Sequence, residues 1–128
     1  MSVFKTTWVA VALCSGLLLS GPSWAHPKLL SSLPAAGASG PAPATIELHF
    51  SENLLTQFSG AKLIMTAMPG MAHSPMPIKA SVSGSSDPKV MLIKPAAPLP
   101  AGTYRVDWRA VSSDTHPITG DVVFSVRP

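Results

Sequence analysis

Thr103-Tyr104-Arg105-Val106-Asp107-Trp108-Arg109 alternates apolar and polar residues without a break. Period two is the spacing of a strand with one buried face, so Tyr104, Val106 and Trp108 should point into a core and the charged residues into solvent. The same pattern recurs outward from this run. Thr45 to Phe50 places Ile46, Leu48 and Phe50 on one face, and Ala61 to Thr66, Lys89 to Lys94 and Asp121 to Val126 are further strand candidates. Pro100-Ala101-Gly102, Ser83-Gly84-Ser85 and Asp87-Pro88 divide these runs as turns. No window keeps a 3.6-residue apolar period, and the 14 prolines interrupt any long helix. Short strands at this spacing predict an all-β fold, a Greek-key antiparallel sandwich or barrel, with no internal repeat.

The first 25 residues read as an export signal rather than as part of the fold. Lys5 supplies a basic start, Trp8 to Leu19 is an apolar stretch, and Ser23-Trp24-Ala25 presents small residues for cleavage. The apolar stretch is too short for a membrane span, which takes about 20 residues. The expected domains are therefore a cleaved signal peptide, 1–25, and a single β-sandwich domain, 26–128, in the periplasm. Cleavage removes Cys14, the only cysteine, so neither a disulfide nor a thiolate ligand is expected in the mature chain. It also leaves eight basic against six acidic residues, too slight and scattered an excess to indicate nucleic-acid binding.

Cleavage after Ala25 makes His26 the first residue. A free α-amine has a pKa of about 7.7 to 8, so a metal can displace its proton near neutrality. The amine and the Nδ1 of the same histidine can close a chelate ring, and Cu(II) prefers such nitrogen donors in tetragonal geometry. Pro27 has no N–H for the metal to displace, so further donors must come from elsewhere in the fold. Asp114 and His116 offer a carboxylate and an imidazole at i, i+2, on one face if the backbone is extended. An isolated Asp-x-His also suits a capped turn with a surface histidine. Glu52 follows a strand end, where it could ligate, hold a ligand imidazole, or simply be solvated. His49 should point away from the core beside Glu47, as a surface residue.

Met65 to Pro77 reads M-T-A-M-P-G-M-A-H-S-P-M-P. Its three prolines and one glycine predict a surface loop without regular structure. Met65, Met68, Met71 and Met76, with His73 among them, form a soft donor set. Thioethers select Cu(I) and do not form disulfides in an oxidising compartment. A sticky apolar loop for a protein partner is the competing reading. Met91 is expected to be ordinary core.

These features together resemble the CopC/PcoC family of periplasmic copper-resistance proteins over essentially the whole mature domain. The resemblance rests on His26-Pro27, Phe50-Ser51-Glu52-Asn53-Leu54, Phe58 to Leu63, the methionine segment, and the long run Pro98 to Gly120. It implies a cupredoxin-like or immunoglobulin-like Greek-key barrel. It implies a Cu(II) site of His26, Asp114 and His116, with Glu52 near it. It implies a Cu(I) site at the other end, drawn from Met65, Met68, Met71, His73 and Met76. It further implies a non-catalytic copper carrier, with an inner-membrane copper transporter of the CopD/PcoD type and a periplasmic multicopper oxidase as partners. Two alternatives stand beside it. A copper monooxygenase with an N-terminal histidine brace would need an open coordination position, which Asp114 fills in this reading. A plain β-sandwich interaction module would bind no copper tightly.

Overall fold

The computed structural model describes residues 26–128. The proposed signal segment lies outside the described residues. Nine strands follow in chain order: β1 (Leu29–Leu33), β2 (Ser39–Gly40), β3 (Ile46–Phe50), β4 (Gly60–Met68), β5 (Met71–Ile78), β6 (Ala80–Gly84), β7 (Val90–Pro95), β8 (Gly102–Val111) and β9 (Pro117–Val126). They form two sheets, of order β1-β3-β7-β6 and β2-β9-β8-β4-β5. Pairing is antiparallel except for the short parallel contact of β2 with β9. The all-β sandwich expected from alternation is the observed fold.

The core lies between the sheets and is built from the predicted inward residues. Ile46, Leu48 and Phe50 of β3 and Tyr104, Val106 and Trp108 of β8 are all buried, as are Met91, Ile93, Val122 and Phe124. Burying each large apolar side chain contributes about 1.5–3 kcal/mol. Phe50 meets Trp108 edge-on at 5.1 Å between ring centroids, and Tyr104 stacks on Phe124 at 5.5 Å. The buried Tyr104 hydroxyl donates to the Pro100 carbonyl at 2.5 Å, so its polar end is satisfied. Gly120 lies opposite Trp108 in the β8–β9 ladder. A Cβ there would stand 2.4 Å from the indole Cζ2, so only glycine leaves room for the ring.

Met65 to Pro77 corrects an expectation: it is not an irregular loop. It is a β-hairpin, the end of β4 turning through Pro69-Gly70 into β5. Pro69 fixes its own φ, and Gly70 takes the positive φ of 73° that a tight turn of this composition uses. Pro75 and Pro77 are tolerated because β5 is the outermost strand of its sheet. Spaced two apart, they can turn their nitrogens to the side with no partner strand, where no N–H is needed. The ladder skips from Met65↔Met76 to Ala67↔Ala72, so a bulge absorbs the intervening residues. Gly and Pro mark a turn and an edge here, not the absence of a strand.

Among the described residues no helix is long and apolar enough to cross a membrane.

Candidate metal centres

The register of β8 fixes where the two candidate sites lie. Gly60 at the start of β4 pairs with Arg109 near the end of β8, and Ala67 near the end of β4 pairs with Thr103. The turn after β8 and the β4–β5 turn are therefore at opposite ends of the sandwich. The ten residues of β8 separate them by roughly 30 Å at about 3.3 Å per residue.

At the first end, the N-terminal segment is tied down before it reaches the site. Pro27 is fully buried. The Lys28 N–H donates to Ser51 Oγ at 2.9 Å, and the Ser51 N–H donates back to the Lys28 carbonyl at 2.9 Å. His26 is thus delivered on a short anchored stub. The loop between β3 and β4 also braces the end of β8: the Leu55 N–H donates to the Val111 carbonyl at 2.7 Å, and the Val111 N–H to Ser59 Oγ at 3.0 Å.

The β8–β9 connection brings the other two donors to His26. Ligand atoms of His26, Asp114 and His116 all lie within 4.8 Å of one another. His26 Nδ1 is 2.6 Å from Asp114 Oδ2, and the two imidazole centroids are 6.0 Å apart. The local conformation differs from the extended backbone expected. Residues 112–115 form a turn, closed by the Thr115 N–H donating to the Ser112 carbonyl at 2.9 Å. Thr115 sits at φ 64°, in the left-handed region that a β-branched residue rarely enters. Donor spacing made the pair visible in sequence; the turn that aims it was not.

The electrostatics of Asp114 favour its charged form. Burial pushes its pKa up, but the His116 backbone N–H, the Ser112 hydroxyl and His26 outweigh that and hold it below the usual carboxylate value. Oδ1 receives the Ser112 hydroxyl at 3.1 Å and the His116 N–H at 3.2 Å. Oδ2 is buried and faces His26 Nδ1 at 2.6 Å, a contact that favours the charged carboxylate. Ser112, one of two buried polar residues among the described residues, carries no mark in the sequence that sets it apart from its neighbours. Glu52 is partly buried on the β3–β4 loop and is not one of the three converging donors. His49 pairs with Glu47 at 3.2 Å on the outer side of β3, the surface position expected.

At the other end, the hairpin sorts the methionines. Met65 pairs with Met76 and Met68 with Met71, and cross-strand partners share a face. The bulge after Met65 aligns Ala67 with Thr103, which returns Met68 to the face that Met65 and Tyr104 occupy. Met65 is buried at 3% exposure, whereas Met68, Met71 and Met76 are exposed at 46%, 63% and 47%. Met91 is core, as expected. His73 lies in the bulged part of β5. Its Nδ1 is 2.6 Å from the Ser74 carbonyl, which can accept a hydrogen bond only from an Nδ1 that carries its proton. In the neutral ring with its proton on Nδ1, Nε2 has a lone pair, and that atom is buried and without a partner. A histidine whose other ring nitrogen donates to a carbonyl has the arrangement common in metal ligands.

The chain has close relatives. A copper resistance protein C of Pseudomonas syringae pv. tomato is 66% identical over 127 residues, covering 99% of this chain and 100% of the relative. A copper resistance protein C of Escherichia coli is 56% identical over 128 residues, with 99% and 100% covered. The crystal structure of PcoC, a methionine-rich copper resistance protein from Escherichia coli, matches with a TM-score of 0.76 at 62% identity, over 80% of this chain and 100% of that one. A model of the CopC domain matches residues 29–127, nearly the whole described sandwich, and the chain belongs to the CopC family.

Proposed function

We propose that this protein is a periplasmic copper carrier with two centres, one for Cu(II) and one for Cu(I), at opposite ends of its sandwich. A copper-handling role follows from membership of the family, whose relatives include copper resistance proteins. The separation into two centres is supported chiefly by one observation. His26, Asp114 and His116 converge within 4.8 Å at one end, and at the other the hairpin that exposes Met68, Met71 and Met76 carries a buried His73 Nε2 with no hydrogen-bond partner. A buried imidazole nitrogen is normally paired, so Nε2 of His73 is open to a ligand.

At the first centre the donors are the amine and Nδ1 of His26, an imidazole nitrogen of His116 and a carboxylate oxygen of Asp114. Nitrogen with one hard oxygen suits tetragonal Cu(II). Four protein donors fill its plane, which leaves no strong position for a substrate and favours carriage over catalysis. Glu52 stands on the neighbouring loop as a supporting carboxylate. At the second centre the exposed thioethers of Met68, Met71 and Met76, with His73 Nε2, suit Cu(I). Met65 joins that set only by turning out of the core. The amine donor requires removal of residues 1–25, consistent with export to the periplasm. There, a copper transporter of the inner membrane and a multicopper oxidase are the partners proposed from the family resemblance.

The test is titration of the protein beginning at His26 with each ion, by chelator competition. His116→Ala should abolish tight Cu(II) binding and spare Cu(I). Paired Met68→Leu and Met71→Leu should do the reverse. Unchanged uptake of both ions in both variants would refute the two-centre reading.

A further inference from the structure

We infer that Ser112 is a positioning residue that decides which oxygen of Asp114 meets the metal, and that strained Thr115 is the part of the turn it holds in place. The inference rests on the Cu(II) reading above and goes beyond it, because neither residue offers a donor to that site.

The argument is one of lone pairs. An aspartate can present one oxygen or both to a metal. Here Oδ1 is already committed, accepting the Ser112 hydroxyl at 3.1 Å and the His116 N–H at 3.2 Å. Oδ2 takes neither of these bonds, and it is the buried oxygen that faces His26 Nδ1 at 2.6 Å. A carboxylate held in this way gives one oxygen, which leaves the rest of a four-donor plane for nitrogen. Without the Ser112 hydroxyl, only the His116 N–H still holds Oδ1, and the carboxylate turns more easily about its terminal torsion, which is intrinsically broad.

The main chain of Ser112 closes the turn around the bond its hydroxyl makes. Its carbonyl accepts the Thr115 N–H at 2.9 Å, and the Thr115 hydroxyl donates to the Asp114 carbonyl at 2.6 Å. These bonds hold a β-branched residue at φ 64° between the two donors. Backbone conformations of this kind persist only where surrounding contacts over-determine them, and they cluster at functional sites. Extended backbone would let both side chains swing freely; the turn aims the Asp114 carboxylate and the His116 ring at a single point. Ser112 itself is 3% exposed, so its hydroxyl has no competing water shell.

The experiment compares Ser112→Ala, Ser112→Thr, Thr115→Gly and His116→Ala in the protein beginning at His26. Three quantities are read: Cu(II) affinity by chelator competition, the Cu(II) EPR hyperfine splitting, and the melting temperature of the metal-free form. Ser112→Ala should lower Cu(II) affinity about 10- to 100-fold, the range for groups that orient a ligand, and should shift the hyperfine splitting. Ser112→Thr keeps the hydroxyl and should restore both. Thr115→Gly removes the strain and the hydroxyl and should weaken Cu(II) binding without lowering the metal-free melting temperature. If Ser112→Ala does not fold, Thr115→Gly and Ser112→Thr carry the test, and wild-type affinity and spectrum in Thr115→Gly would overturn the inference. So would an unchanged spectrum in a folded Ser112→Ala protein. Wild-type affinity in His116→Ala would instead overturn the underlying site; loss there with no effect at Ser112 or Thr115 would overturn the positioning role alone.

Discussion

Met65 and Met71 lie in one hairpin and look interchangeable in sequence, yet replacing them should have opposite consequences. Met65 is 3% exposed and packs in the core cluster with Tyr104 and Leu63; Met71 is 63% exposed beside the hairpin turn. Truncating a buried methionine to alanine costs about 2–5 kcal/mol through lost transfer energy and the cavity left behind. Unfolding entropy is about 2.1 cal/mol/K per residue. For the described domain that is about 0.2 kcal/mol/K, so Met65→Ala should lower the melting temperature by about 10–25 °C. Met71→Leu changes an exposed side chain and should shift stability by less than about 0.5 kcal/mol, or about 2 °C. Thermal unfolding followed by circular dichroism, with a chelator present, separates the two. Cu(I) titration supplies the complementary half: Met71→Leu should weaken cuprous binding, whereas the volume-conserving Met65→Leu should not. Equal melting shifts for Met65→Ala and Met71→Leu, or none for Met65→Ala, would refute the register that buries one methionine and exposes the other.

Three further outcomes are expected. Asp114 has a lowered pKa in the fold, so the stability it contributes is fully present above the ordinary carboxylate value of 3.8 and is lost as pH falls below it towards the folded value. Acid titration of the metal-free Asp114→Asn protein should therefore show a shallower loss of stability below that pH than the wild type; an identical acid limb would contradict the assignment. Mild peroxide treatment followed by peptide mass spectrometry should place sulfoxide on Met68, Met71 and Met76 well before Met65 or Met91, since accessibility governs the rate. Early oxidation of Met65 would show that the hairpin opens. Gly120→Ala should destabilise the fold by about 1–3 kcal/mol through overpacking against Trp108; an unaffected melting temperature would mean the indole does not lie over that glycine.

What could be read in advance tracks how well burial and hydrophobicity agree along each strand. β3 and β8 alternate on both measures, and their inward residues were legible. β1 does not alternate: Leu30 and Leu33 are exposed while Ser32 is buried and donates to the Pro34 carbonyl at 2.9 Å, the reverse of what polarity suggests. β6 is an edge strand with little buried surface, so it carries no periodic signal. The first half of β9, from Pro117 to Asp121, is held by pairing with β8 and not by burial, which is why only Asp121 to Val126 stood out. The candidate donors were visible because metal chemistry restricts residue type. Their convergence depends on long-range pairing and on the backbone of Thr115, and neither leaves a mark in local composition. The hairpin is hidden in the sequence because proline breaks a strand only where its nitrogen faces a neighbour, and local composition does not show that β5 lies at the sheet edge.

The length of β8 also constrains how an ion could travel. Its two ends are joined by a ladder with β9 that runs unbroken from Gly102 to Val111, a stiff strut along the sandwich. If both ends hold copper, an ion leaving one end has no internal route to the other. Passage then requires a collision, either with a second copy presenting its opposite end or with another carrier, and its rate becomes first order in whichever molecule receives the ion. Abundance of acceptors, and not the flexing of a single molecule, would then govern traffic between the oxidation states.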